Sequence, residues 1–293
     1  MKKIPNLCFA LPFLFALLSA FNLAADHGKV KETKERLLSH NSFAAIKKRG
    51  VLRVAMNAID RPPFFMVDEE GELIGVDVEM AKKIAKELNL RLDINRDSQT
   101  FDAVVQRVAD GLSDIAISKL SLTLKRAQIV RYTEPYFILH KSVLINRVKL
   151  LQAGLGISIE EVLKKKGATI AAPSQNSYEE FSKRLFPEAE LYASSGWFQD
   201  IVPKVISGEL WAAFRDELET RRVIFMFKDS SFHLLAINLK DELDPIMMVV
   251  DKEAPLFQDW LNLYLKYIYK KEGITKAVER FKEYVYKDRR VEQ

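Results

Sequence analysis

A chain of 293 residues is long enough for two domains or one large one, and 48% hydrophobic with 29% charged residues is the balance of an ordinary folded protein. That balance excludes a disordered or collagen-like chain. A formal charge of +5 is too weak a basic bias to point to nucleic acid, and one cysteine, Cys8, excludes a disulfide framework.

Lys2 and Lys3 precede an apolar run over residues 7–21, broken only by Pro12 and Ser19 and followed by Leu23, Ala24 and Ala25. This is the pattern of a secretory signal peptide, residues 1–25, with cleavage expected after Ala25. The run is shorter than the ~20 apolar residues that a membrane-spanning helix needs. Cys8 would leave with the peptide, so thiolate zinc sites and cysteine nucleophiles are excluded too. Loss of Lys2 and Lys3 would lower the charge from +5 to +3. His27, His40, His140 and His233 lack the spacing of a metal site, so neither metal nor cofactor is expected.

After a polar lead over residues 26–43, residues 51–56 read as a strand. Residues 77–88 read as a helix, with Met80, Ala81, Ile84, Ala85 and Leu88 on one face. A strand at 90–94, a helix at 101–109 and a strand at 114–118 complete a βαβαβ order, which implies a mainly parallel sheet. The pattern restarts with helices at 158–166, 177–185, 197–206 and 217–227 and strands at 169–172, 191–193 and 210–214. Two extended runs, 138–146 and 246–250, link the units as hinge crossings, and helices at 256–268 and 274–286 close the chain. Lys164-Lys165-Lys166 and Arg221-Arg222 read as solvated helix faces.

In parallel α/β sheets the ligand cleft lies at the carboxyl ends of the strands. Three groups follow such ends. In Ser118 to Arg126, Thr123 can cap a short helix with Arg126 in its first turn. Gln175-Asn176-Ser177-Tyr178 opens a helix whose free N–H groups favour an anion. Asp216 stands just past an apolar run.

Six motifs then occur in order: Val51-Leu52-Arg53-Val54-Ala55, Pro62-Pro63-Phe64, Gly75-Val76-Asp77-Val78-Glu79-Met80-Ala81, Asp114-Ile115-Ala116-Ile117-Ser118, Thr123-Leu124-Lys125-Arg126 and Thr133-Glu134-Pro135-Tyr136-Phe137. Together they resemble the polar amino-acid family of bacterial extracellular solute-binding proteins, which includes lysine/arginine/ornithine- and glutamine-binding proteins. The resemblance runs from about Val51 to Tyr286. It implies a two-lobed α/β fold of the type II periplasmic-binding-protein kind, with residues 44–139 plus 252–293 in lobe 1, 145–243 in lobe 2, and 140–144 and 244–251 as hinge.

The resemblance also implies a monomeric binding component that hands an amino acid to the membrane permease of an ABC transporter. Arg126 would hold the ligand α-carboxylate, Asp216 its α-ammonium, Phe101 would pack on it, and Ser118, Ser121 and Ser177 or Asn176 would supply hydrogen bonds. The chemistry fits, because a zwitterion needs a bidentate donor at one end and an acceptor-only anion at the other. Gln175 departs from the family's small hydroxyl run. Lys119 stands where relatives carry a small residue and Arg61 where they carry an aromatic, so an acidic or polar neutral ligand side chain is expected.

An enzyme of the same fold, cyclohexadienyl dehydratase, is the alternative. Its general acid would correspond to Glu219 and a cation to Lys141. His140 replaces the glycine that precedes that lysine, and the enzyme's glycine-rich turn is missing at Ser174 to Ser177. Glu219 beside Arg222 reads as a solvated pair. A binding protein, without enzymatic activity, is therefore expected.

Overall fold

The computed structural model describes residues 42–154, 159–163, 167–227 and 232–287. The expected signal peptide, nearly all of the polar lead and the Lys164-Lys165-Lys166 cluster lie outside them. Among the described residues no helix is long and apolar enough to cross a membrane.

Ser42 caps helix α1 (Phe43–Arg49) by accepting from Ala45 N. Strand β1 (Val51–Asn57) follows, then a small hairpin of β2 (Met66–Val67) and β3 (Leu73–Ile74). Helix α2 (Val76–Glu87), strand β4 (Arg91–Ser98), helix α3 (Phe101–Ala109) and strand β5 (Ile115–Ser121) complete the first parallel unit. A short β6 (Val130–Tyr132) leads into β7 (Phe137–Asn146). Helices α4 (Arg147–Ala153) and α5 (Ile159–Leu163) then precede β8 (Thr169–Pro173), α6 (Ser177–Leu185) and β9 (Glu190–Ser194). A π-helical turn (Trp197–Ile201), α7 (Val202–Ser207), β10 (Ala212–Asp216) and α8 (Glu217–Met226) follow. The long β11 (Leu234–Asp251) precedes α9 (Pro255–Tyr267), α10 (Ile274–Arg280) and α11 (Lys282–Val285).

The strands form one path, β4-β1-β5-β11-β7-β10-β8-β9, with β6 beside β11. β1 is parallel to β4 and β5, and β8 is parallel to β9 and β10, as βαβ crossovers require. β7 and β11 pair antiparallel with each other and with their neighbours, and so join the two parallel units. Each unit has its own apolar core. Leu52, Val54, Met80, Ile84 and Ile117 pack with Phe257, Leu261 and Ala277 from the C-terminal helices. Ile170, Phe181, Phe186 and Phe214 fill one face of the second unit, and Trp197, Val205 and Ala213 the other. Burying each large side chain contributes about 1.5–3 kcal/mol.

Two expectations change. The helix at 197–206 is a π-helical turn followed by α7, with Ile201 N donating to Gly196 O. Pro203 is the reason, because its ring clashes with the carbonyl four residues back and it has no N–H to donate. The strand at 246–250 starts twelve residues earlier, at Leu234. Its register against β7 shifts between Asn238 and Leu243, and the charged Lys240, Asp241 and Glu242 between them hide the alternation.

Candidate ligand cleft

The carboxyl ends of β5, β8 and β10 converge where the two units face each other. On β5, Leu120 pairs with Met247 and Ala116 with Val249, so residues 117–119 oppose a single β11 residue. This bulge puts Lys119 in the left-handed region, φ 48°, which costs a non-glycine residue about 1–2 kcal/mol. Asp77 holds the turn, accepting from Lys119 N at 2.7 Å on Oδ2 and from Tyr136 Oη at 2.7 Å on Oδ1. Burial pushes the Asp77 carboxyl up to about 7 against those two hydrogen bonds. Gly75 places Asp77. Its φ is 124°, and a Cβ there would lie 2.3 Å from Phe64 O.

The Lys119 side chain crosses to the second unit. Its Nζ donates to Asp216 Oδ2 at 2.9 Å and lies 3.9 Å from Glu219 Oε1. Asp216 Oδ1 caps α8, accepting from Leu218 N and Glu219 N at 3.2 and 3.4 Å, where the helix N-terminus favours a negative charge. Glu219 and Arg222, read from the sequence as a solvated pair, are instead both buried and 3.7 Å apart. The reason is that α8 turns this face toward the cleft and leaves Arg221 outside on Glu217. Burial alone would raise the Glu219 carboxyl, but Arg215, Lys119, Arg222 and Arg61 outweigh it and hold Glu219 well below the usual carboxylate range.

A space of about 120 Å³ opens beside these groups, lined by Arg61, Phe101, Trp197, Arg215, Glu219 and Arg222, among others. Arg215 stacks on Trp197 with 5.1 Å from guanidinium carbon to ring centroid, and Arg61 lies 5.8 Å over Phe101. Burial and the neighbouring Arg215 charge push Arg61 down to about 10.

Next to this space is a recess of about 10 Å³, room for one water, lined by residues of both units. Arg126 enters it from the 3₁₀ turn after Thr123, whose Oγ1 accepts from Arg126 N at 3.2 Å. Its Nε donates to Asp102 Oδ1 at 2.9 Å, while its Nη1 is 3.4 Å from Ser121 O. Opposite, Asn176 caps α6 and accepts from Ser177 Oγ at 3.1 Å. Asp244 closes the recess, accepting from Tyr178 Oη at 2.7 Å and from Ser121 Oγ at 3.0 Å on the same oxygen. Burial, opposed by the Tyr178 hydrogen bond, lifts the Asp244 carboxyl to about 6.

Of the residues singled out from the sequence, Arg126, Asp216, Phe101, Ser121, Ser177, Asn176 and Lys119 line the recess, and Arg61 lines the larger space. Ser118 lines neither, because its Oγ accepts from Asn57 N at 2.9 Å. Lys141 is not brought to Glu219, since its Nζ donates to Glu242 Oε2 and Leu243 O. Sequence reasoning missed Asp244, Trp197 and Arg215, and named Tyr178 only as part of the turn that opens α6. Arg215 alone left a signal, as a charge between the apolar Ala212-Ala213-Phe214 and Asp216 at the end of β10.

A family model described as bacterial extracellular solute-binding proteins, family 3, matches residues 52–283. An arginine-binding periplasmic protein of Mannheimia haemolytica is 34% identical over 124 residues, 40% of this chain and 52% of that protein. A cyclohexadienyl dehydratase of Pseudomonas aeruginosa is 33% identical over 135 residues, 46% of this chain and 44% of that enzyme. The match thus spans about half the length of each of these relatives. Among solved structures, a putative binding component of an ABC transporter from Wolinella succinogenes, complexed with lysine, has a TM-score of 0.63 at 24% identity. It covers 84% of this chain and 100% of its own. An ancestral amino acid-binding protein, a precursor of cyclohexadienyl dehydratase, has a TM-score of 0.60 at 23% identity, covering 82% of this chain and 97% of its own. The fold is that of type II periplasmic binding proteins.

Proposed function

The chain belongs to the bacterial extracellular solute-binding proteins, family 3, and from that membership we propose that it is the periplasmic substrate-binding component of an ABC-type amino-acid transporter. It captures an amino-acid-sized, carboxylate-bearing solute between its lobes and presents it to a membrane permease. One observation carries this reading. Arg126 and Ser121 from the first unit and Ser177, Tyr178 and Asp216 from the second line a recess that is continuous, along Phe101, Asn176 and Arg215, with the larger space. A solute bridging them rewards closure, because each half alone offers only part of its hydrogen bonds. Closure would pivot on β7 and β11, at residues 140–144 and 244–251, between lobes formed by 44–139 plus 252–293 and by 145–243. Arg126 takes the carboxylate, and the cations Arg61 and Lys119 select against lysine and arginine.

The dehydratase chemistry fits this cleft poorly. A general acid must carry a proton at the working pH, and the cations around Glu219 keep it ionised. The test is mass spectrometry of small molecules released on denaturing the purified protein, with a thermal-shift screen of amino acids and small organic acids. A released or stabilising small carboxylate supports the reading. Stabilisation by none of these compounds, together with turnover of prephenate, would overturn it.

A further inference from the structure

We propose that the amino acid held in this cleft is an acidic one, and that Arg215, together with the indole N–H of Trp197, reads its side-chain carboxylate. This deepens the binding-protein reading and rests on it. Strand β10 sets the two residues side by side. Its successive side chains point to opposite faces, so Phe214 fills one core of the second unit while Ala213 shares the other with Trp197. Arg215 follows Ala213 onto that second face, at the carboxyl end of the strand. There its guanidinium carbon lies 5.1 Å from the centroid of the Trp197 ring, and both residues line the larger space. Each is only 5% exposed. Arg215 Nε and Trp197 Nε1 have no acceptor among the described residues. Buried donors are nearly always paired in folded proteins, so two of them together beside an open space point to an acceptor brought by the solute.

The charges around the space choose among acceptors. Among the described residues, Arg61, Arg215 and Arg222 line it against two carboxylates, Asp60 and Glu219. Asp60 is also held by Arg96 at 2.7 Å and accepts from Val67 N at 3.2 Å, while Glu219 lies 3.7 Å from Arg222 and 3.9 Å from Lys119. The lining is therefore net positive, and a cationic side chain would be repelled. A carboxylate is acceptor-only and offers two oxygens to a guanidinium fork. An amide offers one acceptor oxygen and no charge, and an aliphatic side chain leaves both donors unpaired. The space of about 120 Å³ holds several waters, enough for the short acid side chain of aspartate or glutamate. Arg61 reaches it from the first unit, over Phe101, and Arg215 from the second, so an acidic side chain between them favours the closed arrangement.

The test is calorimetric titration of the unaltered protein with L-glutamate and L-aspartate against L-glutamine, L-asparagine, L-leucine and L-lysine. At least one acid should bind tenfold or more tighter than its own amide and than leucine or lysine. In Arg215→Met, which keeps an unbranched chain against Trp197 and loses the guanidinium, the preference for acid over amide should fall below threefold. A thermal melt checks that the variant folds. Should it not, Trp197→Phe, which keeps a ring and loses the indole N–H, carries the test, with the preference reduced at least twofold. An amide, leucine or lysine that binds the unaltered protein as tightly as the acids overturns this inference and leaves the binding-protein reading in place, as does a preference unchanged in the folded variant. Binding of no amino acid removes both.

Discussion

Tyr178 and Asp244 meet at 2.7 Å, the phenol on α6 donating to a carboxylate on the long strand β11. Ser121 Oγ reaches the same oxygen from β5, so one buried acid ties both units to the strand that joins them. Burial leaves Asp244 with a folded pKa of about 6 and Asp77 with one of about 7, both above the ordinary 3.8.

A carboxyl whose folded pKa is raised binds its proton more readily folded than unfolded, so stability falls as pH rises through the window between the two values. Denaturant unfolding should show stability dropping between about pH 4 and pH 7, by on the order of 3–4 kcal/mol for each carboxyl. Asp244→Asn and Asp77→Asn should each flatten that slope. Tyr178→Phe should shift the Asp244 part of it to higher pH, because the lost hydrogen bond was holding the pKa down. A slope unchanged in both Asn variants would contradict this assignment.

Gly75→Ala should destabilise the protein by at least about 2 kcal/mol. A Cβ at φ 124° would meet backbone Phe64 O at 2.3 Å, and neither segment has a flexible side-chain end to yield. Since Gly75 also positions Asp77 and through it Lys119, the variant should weaken solute binding as well as lower the melting temperature. A melting curve superimposable on that of the unaltered protein would show that the approach of α2 to Phe64 tolerates a methyl group.

How far the sequence reached depended on periodicity. Met80, Ala81, Ile84, Ala85 and Leu88 mark α2 because a one-sided stripe can be read from the spacing of apolar residues alone. Arg126 stands out because it lies in a motif of recognisable order after a strand, and Asp216 because it stands just past an apolar run. The π-helical turn at Trp197 needed the tertiary setting around Pro203, and the first half of β11 was hidden by the charged residues after Asn238. The charge network was least legible. Arg222 and Glu219 look like an ordinary exposed pair three residues apart, and only the orientation of α8 buries them. That Lys119 would lie against Asp216, nearly a hundred residues away in sequence, follows from the β5 bulge and leaves no local trace.

Enzymatic turnover separates the two functional readings. Prephenate should yield no phenylpyruvate and arogenate no phenylalanine, because Glu219 is held ionised among Arg215, Lys119 and Arg222 and Lys141 is bound to Glu242. Product formation above the uncatalysed rate that disappears in Glu219→Gln would establish the enzyme instead.

The most direct test of the cleft itself is calorimetric titration of the unaltered protein and of Arg126→Ala with the tightest-binding solute. If Arg126 holds the solute carboxylate, the variant should melt cooperatively and bind about 2–5 kcal/mol more weakly, since the carboxylate would be buried without its guanidinium partner. Equal affinity in the two proteins would contradict the account and remove Arg126 from the site.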